Sequence, residues 1–191
     1  LDAYPGDRMA VIETGAADDI VALFLRPDEM HLAFNFRFVH AGFDGPGLRA
    51  AIDLSLAANA EVGAETTWVT DNHDTPRSVS RLGQDVVLSG AYVPGTMASE
   101  LAQEVDRGLG TRRARAMALI LLALPGAAYV YNGQELGLPN VDDLPDEVLQ
   151  DPIWERSGHT SRGRDGCRVP IPWTSGSNLG FTGSRSTPWL P

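Results

Sequence analysis

Lysine is missing from this sequence: all fifteen basic residues among its 191 are arginine. That removes a lysine nucleophile and the lysine of a phosphate-binding P-loop. Cysteine is nearly missing too, and the single Cys167 excludes an internal disulfide and any cysteine-cluster metal site. Positive charge is scarce; a formal charge of -10 argues against nucleic acid, whose phosphates want a basic face. Long apolar runs are also lacking. The most apolar stretch, Ala116–Leu124, is too short to span a bilayer and stops at Pro125-Gly126. It reads as a buried helix, and no membrane partner is expected. The chain opens Leu1-Asp2-Ala3-Tyr4-Pro5, with neither an initiator methionine nor a charged-then-apolar signal segment. The expectation is a cytoplasmic location and a piece of a longer protein.

What is present is globular in kind. Hydrophobic residues make up 43% and charged residues 21%, enough apolar side chain to bury one core or slightly more. Four short runs read as strands: Arg8–Glu13, His31–Phe38, Thr66–Thr70 and Ala127–Tyr131. Between them, Asp18 and Asp19 suit the first turn of a helix to about Leu25, with Ile20, Leu23 and Phe24 on one face. Leu48–Ala60 reads as a helix, and so does Thr111–Leu124 with Thr111 as its cap. Ser78–Leu82 suits one or two helical turns, and Glu100–Val105 a short helix inside a weakly patterned excursion over Gly83–Gly110. Beyond Glu135 the chain is rich in Pro, Gly, Ser and Asp, with few signs of packed structure until Val169–Trp173. Strands alternating with helices indicate an α/β fold with a parallel sheet and helical crossovers, either an open sheet or part of a barrel. No Gly-rich phosphate loop follows any strand, so a nucleotide site is unsupported.

Parallel strands put their C-terminal ends on one face, where such folds keep their chemistry. Those ends carry Glu13, Asn35, Asp71-Asn72-His73-Asp74, and Asn132-Gly133-Gln134-Glu135. The acidic knot is equally readable as an Asx-rich turn, and Glu13 alone as a cap for the next helix. Together, Glu13 and Asp74 make a carboxylate pair of the kind that glycoside hydrolysis requires: one carboxyl donates a proton, others stay charged beside a developing cation.

Thr67-Trp68-Val69 leading to Asn72-His73-Asp74 and Thr75-Pro76-Arg77 resembles the fourth signature of the α-amylase superfamily, glycoside hydrolase family thirteen. Met9–Glu13 is similar to its third signature. Tyr129–Gly137 resembles the Tyr-x-Gly-Gln-Glu end of strand eight. Gly163–Trp173 is similar to the Arg-Asp-x-x-Arg-x-Pro-x-x-Trp stretch of the α-glucosidase and oligo-1,6-glucosidase branch. The four stretches keep the family's order across nearly the whole chain.

The resemblance implies a retaining enzyme on a (β/α)8 TIM barrel, of which residues 1–173 would be the second half, strands five to eight with their helices. Residues 174–191 would lead towards the missing parts. Glu13 would match the acid/base and Asp74 the residue stabilising the oxocarbenium-like transition state. His73 and Arg164 would contact sugar, Arg77 would line the pocket, and Gln134 and Glu135 would be structural. The substrate would be an α-glucoside oligosaccharide. No cofactor is implied, and a calcium site, if the parent has one, would lie outside this chain. The nucleophilic aspartate of strand four is not matched: Asp2 and Asp7 lack its Gly-x-Arg-x-Asp context. Ile12 replaces a frequent glycine, and Val169 and Ile171-Pro172 replace Thr and Met-Gln. The isolated chain is therefore expected to be inactive and to expose open sheet edges and apolar surface. The alternatives are a transglucosidase or isomerase of the same superfamily, of the sucrose isomerase or trehalose synthase type, and a non-catalytic scaffold. Presence of both Glu13 and Asp74 argues against the scaffold.

Overall fold

The computed structural model describes residues 3–84 and 104–190, which divide into two compact units. The first holds 3–70 and 116–129; the second holds 71–84, 104–115 and 130–190.

All four expected strands form in the first unit, shorter than their apolar runs. β1 (Val11–Ile12) pairs in parallel with β2 (Leu32–Ala33), and β3 (Thr67–Val69) in parallel with β4 (Ala127–Tyr129). Side chains join the two pairs: the Thr67 hydroxyl donates to the Ala33 carbonyl, and Asn35 Nδ2 donates to the Thr67 carbonyl at 3.1 Å. Chain order is thus kept across the strands, as helical crossovers require. The core centres on Trp68, whose ring meets Phe38 edge-on at 5.2 Å. Its indole N–H donates to the Pro125 carbonyl at 2.7 Å, so the one polar atom of this buried ring is satisfied. Val39, Leu48, Val69, Met117 and Leu121 complete the packing.

The helices follow their caps more closely than their apolar runs. α1 (Asp18–Ala22) has both aspartates in its first turn, but Ile20, Leu23 and Phe24, expected on a buried face, are exposed, and Leu25 is the buried residue. The expected strand His31–Phe38 ends after Ala33. Asn35 Oδ1 accepts the Phe38 N–H at 3.0 Å and starts the helical turn α2 (Phe36–Val39), a local capping bond that outweighs the β preference of the phenylalanines. α3 (Gly45–Glu61) begins where Asp44 accepts the Gly47 N–H at 2.7 Å, with Pro46 pre-set in its first turn. Its buried positions are Leu48, Ala51 and Ser55, one face at helical spacing, while Leu54 is exposed.

In the second unit, α4 (Ser78–Arg81) matches its expected turn. α5 (Arg107–Ala123), which runs through both units, starts four residues before the expected Thr111 cap. Asp106 Oδ1 accepts the Leu109 N–H at 2.9 Å and takes the capping role, while Thr111 donates back to the Arg107 carbonyl from inside the helix. The helix expected at Glu100–Val105 lies mostly outside the described residues; Glu104 and Val105 are not helical. The stretch beyond Glu135 is better packed than its composition suggests. It holds α6 (Pro152–Arg156), capped by Asp151, a 3-10 turn at Asp165–Cys167, and the buried residues Leu144, Ile171 and Leu190. Residues 174–190 belong to this same unit. Among the described residues, no helix is long and apolar enough to cross a membrane.

Gly126 enters β4 at φ +117, with space for a Cβ only 2.1 Å from the Thr66 carbonyl oxygen. Gly63, at φ +71, has open space around it. Gly63→Ala should therefore cost about 1 kcal/mol of backbone strain, and Gly126→Ala about 3 kcal/mol or more, because backbone must also move. Urea unfolding of both variants checks this; equal losses would show that the Thr66 contact is immaterial.

Candidate active site

The turn after β3 is built by its own first two residues. Asp71 is buried, and its carboxylate accepts the Ser78 N–H at 2.6 Å and the Ser78 hydroxyl at 2.8 Å, which anchors the start of α4. Burial pushes the Asp71 carboxyl above its usual range, while Arg81 at 3.8 Å and the Ser78 donors pull against that shift. Asn72 Oδ1 accepts the Asp74 N–H at 3.0 Å and the Thr75 hydroxyl at 2.8 Å, an Asx turn that fixes the backbone of Asp74. Asp71 and Asn72 shape the turn, and the two residues that follow them reach outwards. His73 has a side chain 53% exposed, that of Asp74 is 18% exposed, and His73 Nε2 stands 3.6 Å from Asp74 Oδ1.

Asp74 Oδ1 also collects two guanidinium groups. Arg164 donates from one terminal nitrogen at 2.9 Å and Arg168 from another at 2.7 Å. Arg168 Nε donates to the His73 carbonyl at 2.7 Å, so one side chain fixes both neighbours. Behind Arg164 lies Asp151, whose carboxylate is fully enclosed. Asp151 Oδ2 accepts Arg164 Nε and the Arg164 backbone N–H, while Oδ1 accepts the second terminal nitrogen at 3.1 Å. Burial opposes ionisation of Asp151, yet the bonds from Arg164 and from the Ile153 N–H outweigh it and hold the carboxyl well below its usual range. The same pairing raises Arg164. Asp165 accepts the Gln150 and Asp151 N–H groups at 2.6 and 2.9 Å, which ties the Arg-Asp stretch to the segment ahead of α6.

Sequence reasoning missed Asp151 and Arg168. The Asp-Pro pair at 151–152 does signal a helix start, but nothing in the order of residues pairs Asp151 with an arginine thirteen positions on. Arg164 was expected to face sugar; in the structure it is half-buried between two carboxylates. In the first unit, Glu13 directly follows β1 and is exposed.

The family description "Alpha amylase, catalytic domain" matches residues 1–191. The chain belongs to that family. Among curated relatives, a "Probable alpha-glucosidase" of Rhizobium meliloti (strain 1021) is 31% identical over 86% of this chain and 25% of its own length. The "Oligo-1,6-glucosidase" of Parageobacillus thermoglucosidasius is 28% identical over 97% of this chain and 34% of its own length. The chain thus spans about a quarter to a third of the length of these two curated relatives. Among solved structures, the alpha-glucosyl transfer enzyme XgtA superposes with a TM-score of 0.71 at 28% identity, over all of this chain and 31% of its own. Bacillus licheniformis trehalose-6-phosphate hydrolase does so with a TM-score of 0.64 at 23% identity, over 98% of this chain and 35% of its own, a likeness of fold. These neighbours support a barrel fold of the α-amylase family.

In this α-amylase-family chain one further residue, Arg77, was expected at the site, and Gln134 and Glu135 beside it were expected to be structural. Arg77, expected to line a pocket, is 1% exposed. Its terminal nitrogens donate to the Asn132 carbonyl at 2.7 Å and the Cys167 carbonyl at 3.0 Å, and its plane lies over Tyr131. A guanidinium so enclosed joins the loop after β4 to the Arg-Asp stretch and presents no donor to solvent. Gln134 and Glu135 accept the Tyr131 and Gly133 N–H groups at 3.1 and 2.8 Å, turning the chain after β4.

Cys167 is buried beneath this junction, and burial pushes its thiol up to about 11, against the pull of Arg168 and Arg77. At neutral pH the thiolate fraction is then on the order of one part in ten thousand. Iodoacetamide should leave the native protein unmodified near neutral pH and label it fully in denaturant; mass spectrometry showing rapid native labelling would contradict this burial.

Proposed function

We propose that this chain supplies strands five to eight of a (β/α)8 barrel in a retaining α-glucosidase that hydrolyses terminal α-glucosidic bonds of oligosaccharides. The observation that carries the reading is the solvent-reaching Asp74 carboxylate directly after β3, immobilised by two arginines on a turn built for it. The names of the curated relatives support the substrate class. In the proposed reaction, Glu13 protonates the glycosidic oxygen while an aspartate from outside these residues attacks the anomeric carbon, giving a glycosyl ester and the free aglycone. Water then attacks the anomeric carbon, Glu13 takes its proton, and the aspartate leaves. Asp74 stabilises the positive charge that develops in both transition states, and His73 and Arg164 bind sugar hydroxyls beside it. Arg77 contributes by holding the loops together. The chemistry so written needs carboxylates and water, with no cofactor or metal.

A second reading, glucosyl transfer to a sugar acceptor, is favoured by the likeness to XgtA. It uses the same carboxylates and differs in the acceptor. Both readings make the same first prediction. In the full-length natural protein, Glu13→Gln should lower turnover of a maltose-type substrate by about 10²- to 10⁴-fold, the usual range for a general acid. The 191-residue chain alone should show no turnover. Product analysis by NMR separates the readings: retained α-glucose indicates hydrolysis, new oligosaccharides indicate transfer. Turnover by the isolated chain that Glu13→Gln abolishes would falsify the external nucleophile.

A further inference from the structure

We propose that Asp151 is a positioning residue that preserves the negative field of Asp74 by taking up the charge of Arg164. This rests on the proposed role of Asp74 beside a developing cation. That role carries a conflict. A carboxylate that must stabilise positive charge is here bonded to two guanidinium groups, and both donate to the same oxygen, Oδ1. Two cations on one anion would leave the three groups positively charged and would repel the oxocarbenium-like transition state they ought to favour.

Asp151 resolves this. It binds three groups of Arg164, two side-chain nitrogens and the backbone N–H, against the single bond that Asp74 receives from the same arginine. Arg168 stands 3.7 Å from Asp151 as well. Asp74, Asp151, Arg164 and Arg168 are therefore balanced in charge, two against two. Asp165 behind them is met by backbone N–H groups. The arginines fix where Asp74 points, and Asp151 prevents them from cancelling it. Among the described residues, no donor reaches Asp74 Oδ2, so that oxygen is left for substrate.

Asp151→Asn is close in shape, keeps an oxygen able to accept the Ile153 N–H, and leaves one positive charge in excess beside Asp74. A change of one charge roughly one side chain away from a ligand alters the binding of a cation by roughly three- to thirtyfold and leaves a neutral ligand nearly untouched. The experiment compares two probes by calorimetry on the full-length natural protein: a protonated gluco-configured iminosugar, and neutral maltose. Asp151→Asn should weaken the iminosugar by roughly three- to thirtyfold and maltose by less than about twofold. Asp151→Glu, which keeps the charge, should restore the preference. Removing both charges, as Asp151→Asn with Arg168→Gln, should also return the preference for the cation, and this variant serves if Asp151→Asn alone does not fold.

Equal weakening of both probes would show a merely structural role and would overturn the inference while leaving the glucosidase reading intact. An unchanged ratio of affinities would do the same. Failure of the wild-type protein to bind either probe would remove the glucosidase reading and the inference with it.

Discussion

Burying a charged side chain without a partner destabilises a protein by several kcal/mol, and the second unit carries that burden repeatedly. Asp71, Asp151, Asp165, Arg77 and Arg81 are all buried there, in a segment with little regular secondary structure to supply apolar mass. The unit is therefore organised by satisfaction of polar groups more than by a hydrophobic face. Asp71 gathers Ser78 and Arg81, Arg77 gathers two loop carbonyls, and Asp151 gathers Arg164 and the first turn of α6. The absence of lysine suits this arrangement. A guanidinium is planar, weakly hydrated and able to donate in several directions at once, so one buried cation can link two or three chain segments. Arg77 sets two separate terminal nitrogens on two carbonyls with its plane over Tyr131, an arrangement that the single nitrogen of an ammonium group does not reproduce.

The first unit depends on ordinary packing, and the sequence was most readable there. Apolar runs located β1, β3 and β4 to within a few residues, while α3 begins three residues before the expected Leu48, because Asp44 caps it and Pro46 is accommodated in its first turn. Errors arose where one side chain's local bond overrode a pattern. Asn35 turned the end of an aromatic run into a helix, and Asp106 moved the start of α5 upstream of the more conspicuous Thr111. Capping is a contact between residues two or three apart, so it is legible in principle; what hid it was that Asn35 sits inside the aromatic run itself, between Phe34 and Phe36, and that Asp106 stands five residues ahead of Thr111. The exposed stripe of Ile20, Leu23 and Phe24 is a different kind of error, because periodicity reports an apolar face and not what covers it.

For the site, residue types and neighbours in the chain were legible, and partners were not. The division of labour inside Asp71-Asn72-His73-Asp74 follows from the local chemistry of Asx turns, and the structure shows the first two residues turned inwards and the last two outwards. The partners of Asp74 lie about ninety residues later, and Asp151 sits between them in sequence inside a stretch whose composition suggests a loop. Pairings across such distances are set by how the loops fold, which no period or spacing encodes.

The same residue type serves two ends in this unit, and the contrast shows what distinguishes support from function. Arg77 is enclosed, donates to backbone carbonyls and meets no carboxylate among the bonds it makes, so its charge acts on the protein alone. Arg164 and Arg168 are half-buried, and each bonds a carboxylate that reaches solvent, so their charges act on whatever approaches Asp74. Holding a carboxylate by guanidinium bonds gives precise aim but subtracts from its field. Holding it by neutral donors keeps the field but aims less firmly, because neutral hydrogen bonds are about half as strong. A second, enclosed carboxylate on the far side of the guanidinium gives both properties together. That is the arrangement found at Asp151.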